Sequence, residues 1–345
     1  MSIFRLLGVV LKNVRHIWLV SSVSRILDLL AVLKLIIYLD KLGVLEFMRE
    51  PRSIDDVSIF LGGVRRLDLL EDIFSTLKEA GVFIGENGRF RVDWRKVEKF
   101  RAMREKNPTI RIFEVLLKGI ENMLYGAALE VLRGADVSFV SPEVATVLYF
   151  QRQHPLFNLA RRLSLELGGG KRFKGKVILA VGCGFGAGVV TILDYLNFDC
   201  HVICADFYPN ILDECAHTLV NPPGSPAKQL KELSNVNFVL LDPLIKSKWP
   251  IPDESVDLVF NFDQFQWSHK PQEMMNEFAR VLKKNGTLIL ATSIRRKRKK
   301  TSIDVTTRLF GANKTYSKEE ILALLRNAGL KGRIYFSSIV VARKK

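Results

Sequence analysis

Residues 176–206 leave this chain the least freedom. Val177 to Val181 form a five-residue apolar run of buried-strand type. Glycines at 182, 184, 186 and 188 follow directly, then a helical pattern carried by Val189, Val190, Ile192, Leu193 and Leu196. A second apolar run, Val202 to Ala205, closes on Asp206. Strand, glycine turn, helix and strand make half of a doubly wound α/β nucleotide fold. The glycines permit a tight turn and a close approach of backbone to a ligand, and the helix N-terminus points amide donors at it. A carboxylate at the end of the second strand suits a pair of ribose hydroxyls.

The pattern continues in a fixed order. Asn237 to Leu241 read as a third strand closing on Asp242, followed by WPIPDESVDLVF at 249–260. A helix and strand come next, from Pro271 through KKNGTLIL at 283–290, and then YSKEEILALLRNAGL at 316–330. In this order the segments resemble class I methyltransferases dependent on S-adenosyl-L-methionine (SAM). The resemblance covers residues 168–345 and implies an α/β class I methyltransferase Rossmann-like seven-stranded sheet, an enzyme, and SAM as cofactor.

The resemblance also implies roles. Gly182, Gly184 and Gly186, with Cys183 among them, take the methionine end of the cofactor. Asp206, with Phe207 beside it, takes the ribose, and Asp242 the adenine amino group with Pro243 or Leu244 against the ring. Asn261 at the end of the fourth strand completes the cofactor set. A strand-end cap is the plainer reading of both Asp206 and Asp242. Where the family places an acid two residues before the first glycine, this chain has Ala180.

A methyl group on a sulfonium is already activated, so the protein supplies alignment, exclusion of water and, for a hydroxyl acceptor, a base. The position of the family's histidine base, counted from Asp257, falls on Gln266 within NFDQFQWSH at 261–269. The titratable neighbours are Asp263 and His269. Asp263, His269 and Gln266 are therefore the catalytic candidates, with helix capping the competing reading for His269. NPPG at 221–224 lies between the second helix and third strand and reads as a turn.

Residues 1–95 are expected to form N-terminal helices and a winged helix. Ile3 to Val14 and Ile26 to Ile37 carry apolar stripes at helical spacing. Ser53 suits a helix cap, helices stop at Gly62-Gly63 and Gly81, and a hairpin turns at residues 86–88. A winged helix before a methyltransferase domain is similar to small-molecule O-methyltransferases of the caffeic-acid and hydroxyneurosporene type, where it serves dimerisation. That resemblance implies a homodimer and a small-molecule acceptor, hydrophobic or anionic, methylated at oxygen. Residues 96–167 read as a helical connector lining the acceptor site, with Met123 to Leu132 among its helices and His154 structural beside Pro155.

Charge adds a competing reading. Lys and Arg number 52 against 36 Asp and Glu, a net charge of +16. Residues 1–167 hold 25 against 20 and residues 168–345 hold 27 against 16, so the excess is +5 and +11. Six of those cations form one run, 295–300, either a solvated loop or a docking surface for RNA or an acidic protein. The amphipathic segment 303–312 after it suits a lid. A SAM-responsive regulator binding DNA through the winged helix is a third class, and it lacks a basic recognition helix. The first apolar stripe, edged by Arg5, Lys12 and Arg15, allows peripheral membrane contact as well as burial against a partner. No apolar run has the ~18 residues of a transmembrane span. The four cysteines, 183, 200, 204 and 215, show no Cys-x-x-Cys pair, so no metal site is expected and a reducing, cytoplasmic location is.

Overall fold

The computed structural model describes residues 14–108, 110–111, 128–135, 155–292, 294–295, 302–309, 312–336 and 338–345. The chain divides into two compact units. One comprises Ser21–Thr146 and Arg295–Ala312; the other comprises Met1–Val20, Val147–Ile294 and Asn313–Lys345.

The first unit opens with helix α1 (Val14–Lys41, belonging to this unit from Ser21) and α2 (Val44–Phe47), then strand β1 (Arg52–Ser53). Helices α3 (Ile54–Phe60) and α4 (Leu67–Glu79), strands β2 (Phe83–Ile84) and β3 (Arg89–Val92), and α5 (Trp94–Lys106) follow. The three strands form one antiparallel sheet in the order β1-β3-β2. Ser53 starts α3 with a reciprocal capping box: its hydroxyl accepts from Asp56 N at 3.0 Å and the Asp56 carboxylate accepts from Ser53 N at 2.9 Å. Leu30, Leu33 and Ile36 of the second apolar stripe are buried within this unit, so that part of the stripe needs no second chain to cover it. The first stripe from Ile3 to Leu11 lies outside the described residues, as do 112–127, His154 and 296–300.

The second unit contains α6 (Pro155–Gly168), β4 (Val177–Val181), α7 (Ala187–Leu196), β5 (His201–Asp206), α8 (Pro209–Ala216) and β6 (Val236–Leu240). It continues with β7 (Val256–Phe262), α9 (Pro271–Val281) and β8 (Leu282–Ala291). The chain then returns to the first unit for α10 (Ser302–Leu309), and ends in the second with α11 (Lys318–Asn327), β9 (Leu330–Tyr335) and β10 (Ile339–Lys344).

Seven strands form the sheet in the order β9-β10-β8-β7-β4-β5-β6. β8, β7, β4, β5 and β6 run parallel, and β10 is antiparallel to both its neighbours. This is the expected seven-stranded Rossmann-like sheet. Each central strand is buried on both faces, as parallel sheets require. Ile178, Ala180, Val202, Cys204 and Phe260 pack with Val189, Ile192 and Leu193 of α7. Leu179, Val181, Val259, Leu288 and Leu290 pack with Met274 and Phe278 of α9 and Leu325 of α11. Complete burial of such side chains stabilises the fold by ~1.5–3 kcal/mol each. The strand order reverses between β4 and β7, and ligands of open α/β sheets bind at the carboxyl ends of the strands flanking such a switch.

Two smaller expectations are settled by packing. The NPPG segment is a turn, closed by Ser225 N donating to Pro222 O at 3.2 Å. The 303–312 segment is not a free lid: Val305 and Leu309 of α10 lie in the core of the first unit, and Arg308 clasps Asp68 and Asp72 of α4. Among the described residues, no helix is long and apolar enough to cross a membrane.

Candidate active site

The loop after β4 is held almost entirely by its own backbone. Gly182, Gly184 and Gly186 have φ of 68, 53 and 77°, conformations that strain any residue with a Cβ. Gly182 N and Cys183 N both donate to Ala205 O, at 2.8 and 3.2 Å, tying the loop to β5. Gly186 N donates to Cys183 O at 2.9 Å, and Gly186 then serves as the N-cap of α7. At Gly182 the constraint is also steric. A Cβ there would lie 2.3 Å from Cγ of Gln264, a residue of the turn after β7.

Asp206 ends β5 with 6% of its surface exposed. One carboxylate oxygen accepts from Gly184 N at 3.0 Å, the other from Phe207 N at 2.8 Å and Tyr208 N at 3.4 Å. Burial pushes its pKa up to about 6 against the pull of those three amide donors. Phe207 is buried and packs edge-on to Trp249. Cys183 is buried within the loop, and its hydrogen bond to Cys215 together with burial raises its thiol pKa.

Asp242 stands apart. Its two oxygens accept from Leu244 N and Lys246 N, both at 2.9 Å, and these bonds lower its pKa. It therefore organises its own turn, in which Pro243 and Leu244 are exposed.

The turn after β7 gathers the remaining candidates. Asn261 is fully buried, in register with Val181 of β4. Its Nδ2 donates to Val181 O at 3.0 Å and to Gln264 Oε1 at 3.1 Å, while its Oδ1 is buried without a hydrogen-bond partner. Asp263 has φ of 57° and donates its N–H to Ala291 O at 2.7 Å. Gln266, 1% exposed, donates Nε2 to Asp263 Oδ1 at 2.6 Å and to Asp263 O at 3.1 Å. Gln266 Oε1 accepts from Thr292 Oγ1 at 2.8 Å, and its carbonyl accepts from Lys314 N at 3.1 Å. Gln266 is thus a strut that positions Asp263. His269 is exposed at the entry to α9, outside this network.

The sequence reading did not single out Gln264, Arg161 or Thr292. Arg161, on α6, is 4% exposed, with its guanidinium 5.0 Å from the centre of the Phe262 ring. Burial lowers its pKa to about 10, and the Asp263 charge opposes that shift. Its signal was present in the pattern: Arg161 falls in helical phase with Phe157, Ser164 and Leu165, on the side that packs inward. Gln264 and Thr292 carried no such signal.

These residues fit SAM. The fit rests on a glycine loop with φ values closed to side chains, a buried carboxylate that suits ribose hydroxyls, and a buried orphan acceptor at Asn261 beside the loop.

Comparison with known proteins agrees. Residues 179–290 match a family model described as a methyltransferase domain. No curated protein matches the chain. Among solved structures, the DszA carbon methyltransferase is similar at 15% identity and a TM-score of 0.71, covering 98% of this chain and 93% of that one. The CurJ carbon methyltransferase is similar at 13% identity and 0.66, covering 97% and 98%. An O-methyltransferase family 2 protein from Planctomyces limnophilus, solved with apigenin, is similar at 16% identity and 0.56, covering 94% and 96%. At these identities the likeness establishes the fold. With the matched family and the loop geometry, it follows that this chain carries a class I SAM-dependent methyltransferase domain.

Proposed function

We propose that the chain moves the methyl group of SAM to an oxygen of a small or lipid-like acceptor, with Asp263 taking the acceptor's proton. The observation that carries this reading is the position of the Asp263 carboxylate. It lies one residue before Gln264, whose side chain rests on Gly182, and Gln266 holds it from the side. When bound, SAM supplies a sulfonium-activated methyl. The chain supplies the rest. The side-chain-free glycine loop at 182–186 seats the methionine part, and Asp206 takes the ribose hydroxyls. Buried Phe207 and Asn261 exclude water, and Asp263 accepts a proton that becomes acidic only as the oxygen–carbon bond forms. Asp242, Pro243 and Leu244 are assigned to the adenine side.

For the first unit we infer a winged helix that dimerises. Supporting observations are its element order (helix, strand, two helices, hairpin) and the exposure of Ile59 (76%), Phe60 and Leu67. A DNA-binding role is disfavoured because α4 carries Asp68, Glu71, Asp72 and Glu79 against Lys78 alone and offers no basic face to a groove. RNA or protein docking through 295–300 stays secondary, since 296–300 lie outside the described residues.

Titration calorimetry with SAM, then a screen of hydroxylated acceptors using an isotopically labelled methyl, tests the reading. Binding and an O-methyl product are expected. A C-methyl product would move the reaction to carbon, and absence of SAM binding at millimolar concentration would end the enzyme reading.

A further inference from the structure

At the head of the glycine loop, a buried acceptor has no donor. Asn261 is fully buried on β7, yet its Oδ1 makes no hydrogen bond. The orientation of this amide follows from its partners. Val181 O is a carbonyl and only accepts, so the Asn261 atom 3.0 Å from it is the Nδ2 donor. The second Nδ2 hydrogen goes to Gln264 Oε1. Both donors are spent and Oδ1 is left over. A buried, unpaired acceptor costs ~1–3 kcal/mol, a cost that a ligand bringing an N–H donor would remove.

Position narrows the ligand group. Asn261 stands opposite Val181, the residue before Gly182, and its partner Gln264 rests on Gly182 itself. β5, which carries Asp206, lies on the other side of β4, so the two acceptors are two strands apart, ~10 Å. They therefore serve opposite ends of one cofactor. With the ribose hydroxyls at Asp206, the remaining strong donor of SAM on the loop side is the α-ammonium of its methionine part. Position 180, where a carboxylate would otherwise meet that cation, is Ala180, buried among Cys204 and Phe260.

We propose that Asn261 Oδ1 is the acceptor for the cofactor's α-ammonium. A neutral amide on β7 replaces a carboxylate on β4; Val181 O fixes the orientation of that amide and Gln264 takes its second hydrogen. This inference rests on the SAM reading above and deepens it. Asn261 acts by direct contact with the cofactor, so truncating it removes recognition of one ligand group and spares the rest.

Calorimetry with three ligands tests this: S-adenosyl-L-homocysteine, its analogue lacking the amino group, and 5′-methylthioadenosine, which lacks the amino-acid part. The wild type is expected to bind S-adenosyl-L-homocysteine about tenfold or more tighter than the deamino analogue, as a charge-assisted hydrogen bond requires. Asn261→Ala should erase that preference while 5′-methylthioadenosine binding stays within about twofold. Gln264→Ala, which leaves the strand core intact, should weaken the preference in part and covers the case in which Asn261→Ala does not fold. If the wild type binds the homocysteine and deamino ligands equally, the inference is overturned and the SAM reading stands. An equal loss of all three ligands in Asn261→Ala would likewise overturn it, making Asn261 a strut. If the wild type binds none of them, the SAM reading falls and takes this inference with it.

Discussion

Two turns leave adjacent parallel strands at the same edge of the sheet, and they are built on opposite plans. The turn after β4 enters the left-handed region three times within 182–186, each time at glycine, and is closed by backbone bonds to Ala205 and Cys183. The turn after β7 enters it once, at Asp263, where a side chain makes that conformation cost of the order of 1 kcal/mol. It is held by the amide of Gln266, the hydroxyl of Thr292 and the backbone of Lys314. The first turn spends its amides on Ala205, Cys183 and Asp206 and, with no side chain at its glycines, lets a ligand approach its backbone closely. The second holds one carboxylate through the amide of Gln266, a residue that Thr292 and Lys314 fix in turn. A backbone cradle beside a side-chain clamp is the division of labour expected when one wall binds and the other takes part in the reaction.

The broadest effect, on stability and binding together, is expected where the cradle depends on its one side chain. Asp206→Ala removes the acceptor of Gly184 N, Phe207 N and Tyr208 N as well as the ribose contact. Each buried amide left unpaired costs ~1–3 kcal/mol, so a lowered melting temperature should accompany a loss of SAM affinity of about 100-fold or more. Calorimetry and thermal melting read the two losses separately. A variant that melts early yet still binds SAM would show that the loop alone forms the cradle, and would break the comparison in its favour.

The two plans also explain what could be read from sequence. Glycine at 182, 184 and 186 states its own conformation, and an acid closing the next apolar run states its place, so the cradle is visible in a stretch of 31 residues, 176–206. The sheet was legible for the same reason, because buried parallel strands are near-continuous apolar runs. The β6 strand came out one residue from the reading, at Val236–Leu240 rather than 237–241, since buried Leu241 continues the apolar run of Phe238, Val239 and Leu240. The clamp was not legible. Gln266 is bound to Thr292, 26 residues on, and Gln264 meets Gly182 of the turn leaving the neighbouring strand; neither pairing leaves a periodic trace. Likewise α10 reads as an amphipathic lid because local pattern cannot say which core its apolar side will enter. Asp68 and Asp72, its partners through Arg308, lie more than two hundred residues earlier.

The clamp makes a sharper prediction, one of rate alone. General-base assistance is worth about 10²- to 10⁴-fold, so Asp263→Asn should lower single-turnover methyl transfer by about that factor and leave SAM affinity unchanged. Asp263→Gly should lose the same activity while relieving the left-handed backbone. Gln266→Ala should lower stability by ~1–3 kcal/mol, because Thr292 and Asp263 lose their buried partner. If Asp263→Asn is fully active and Asp263→Gly is not, the carboxylate is a backbone brace and the reaction relies on alignment. Loss of activity in His269→Ala alone would move the base to an exposed residue that the clamp does not touch.

The smallest effect is a pH dependence that belongs to the cradle alone. Asp206 titrates at about 6 in the fold against an ordinary value of 3.8, with burial as the main cause. Between those values the folded state holds more protons than the unfolded one, so this group's contribution to stability is full below about pH 4 and is lost as pH rises towards 6. Cofactor binding has the opposite sign. Ribose hydroxyls donate to the ionised carboxylate, so binding favours proton release and affinity should climb as pH rises through 6, by up to about tenfold per unit below it, then level off above about 7. Calorimetry with S-adenosyl-L-homocysteine from about pH 5 to about pH 8 measures the slope, and Asp206→Asn should flatten it. A flat wild-type profile would mean that Asp206 already serves the loop amides fully and does not act on the ribose. The cradle would then be backbone throughout, and the two turns would differ even more than their dihedral angles show.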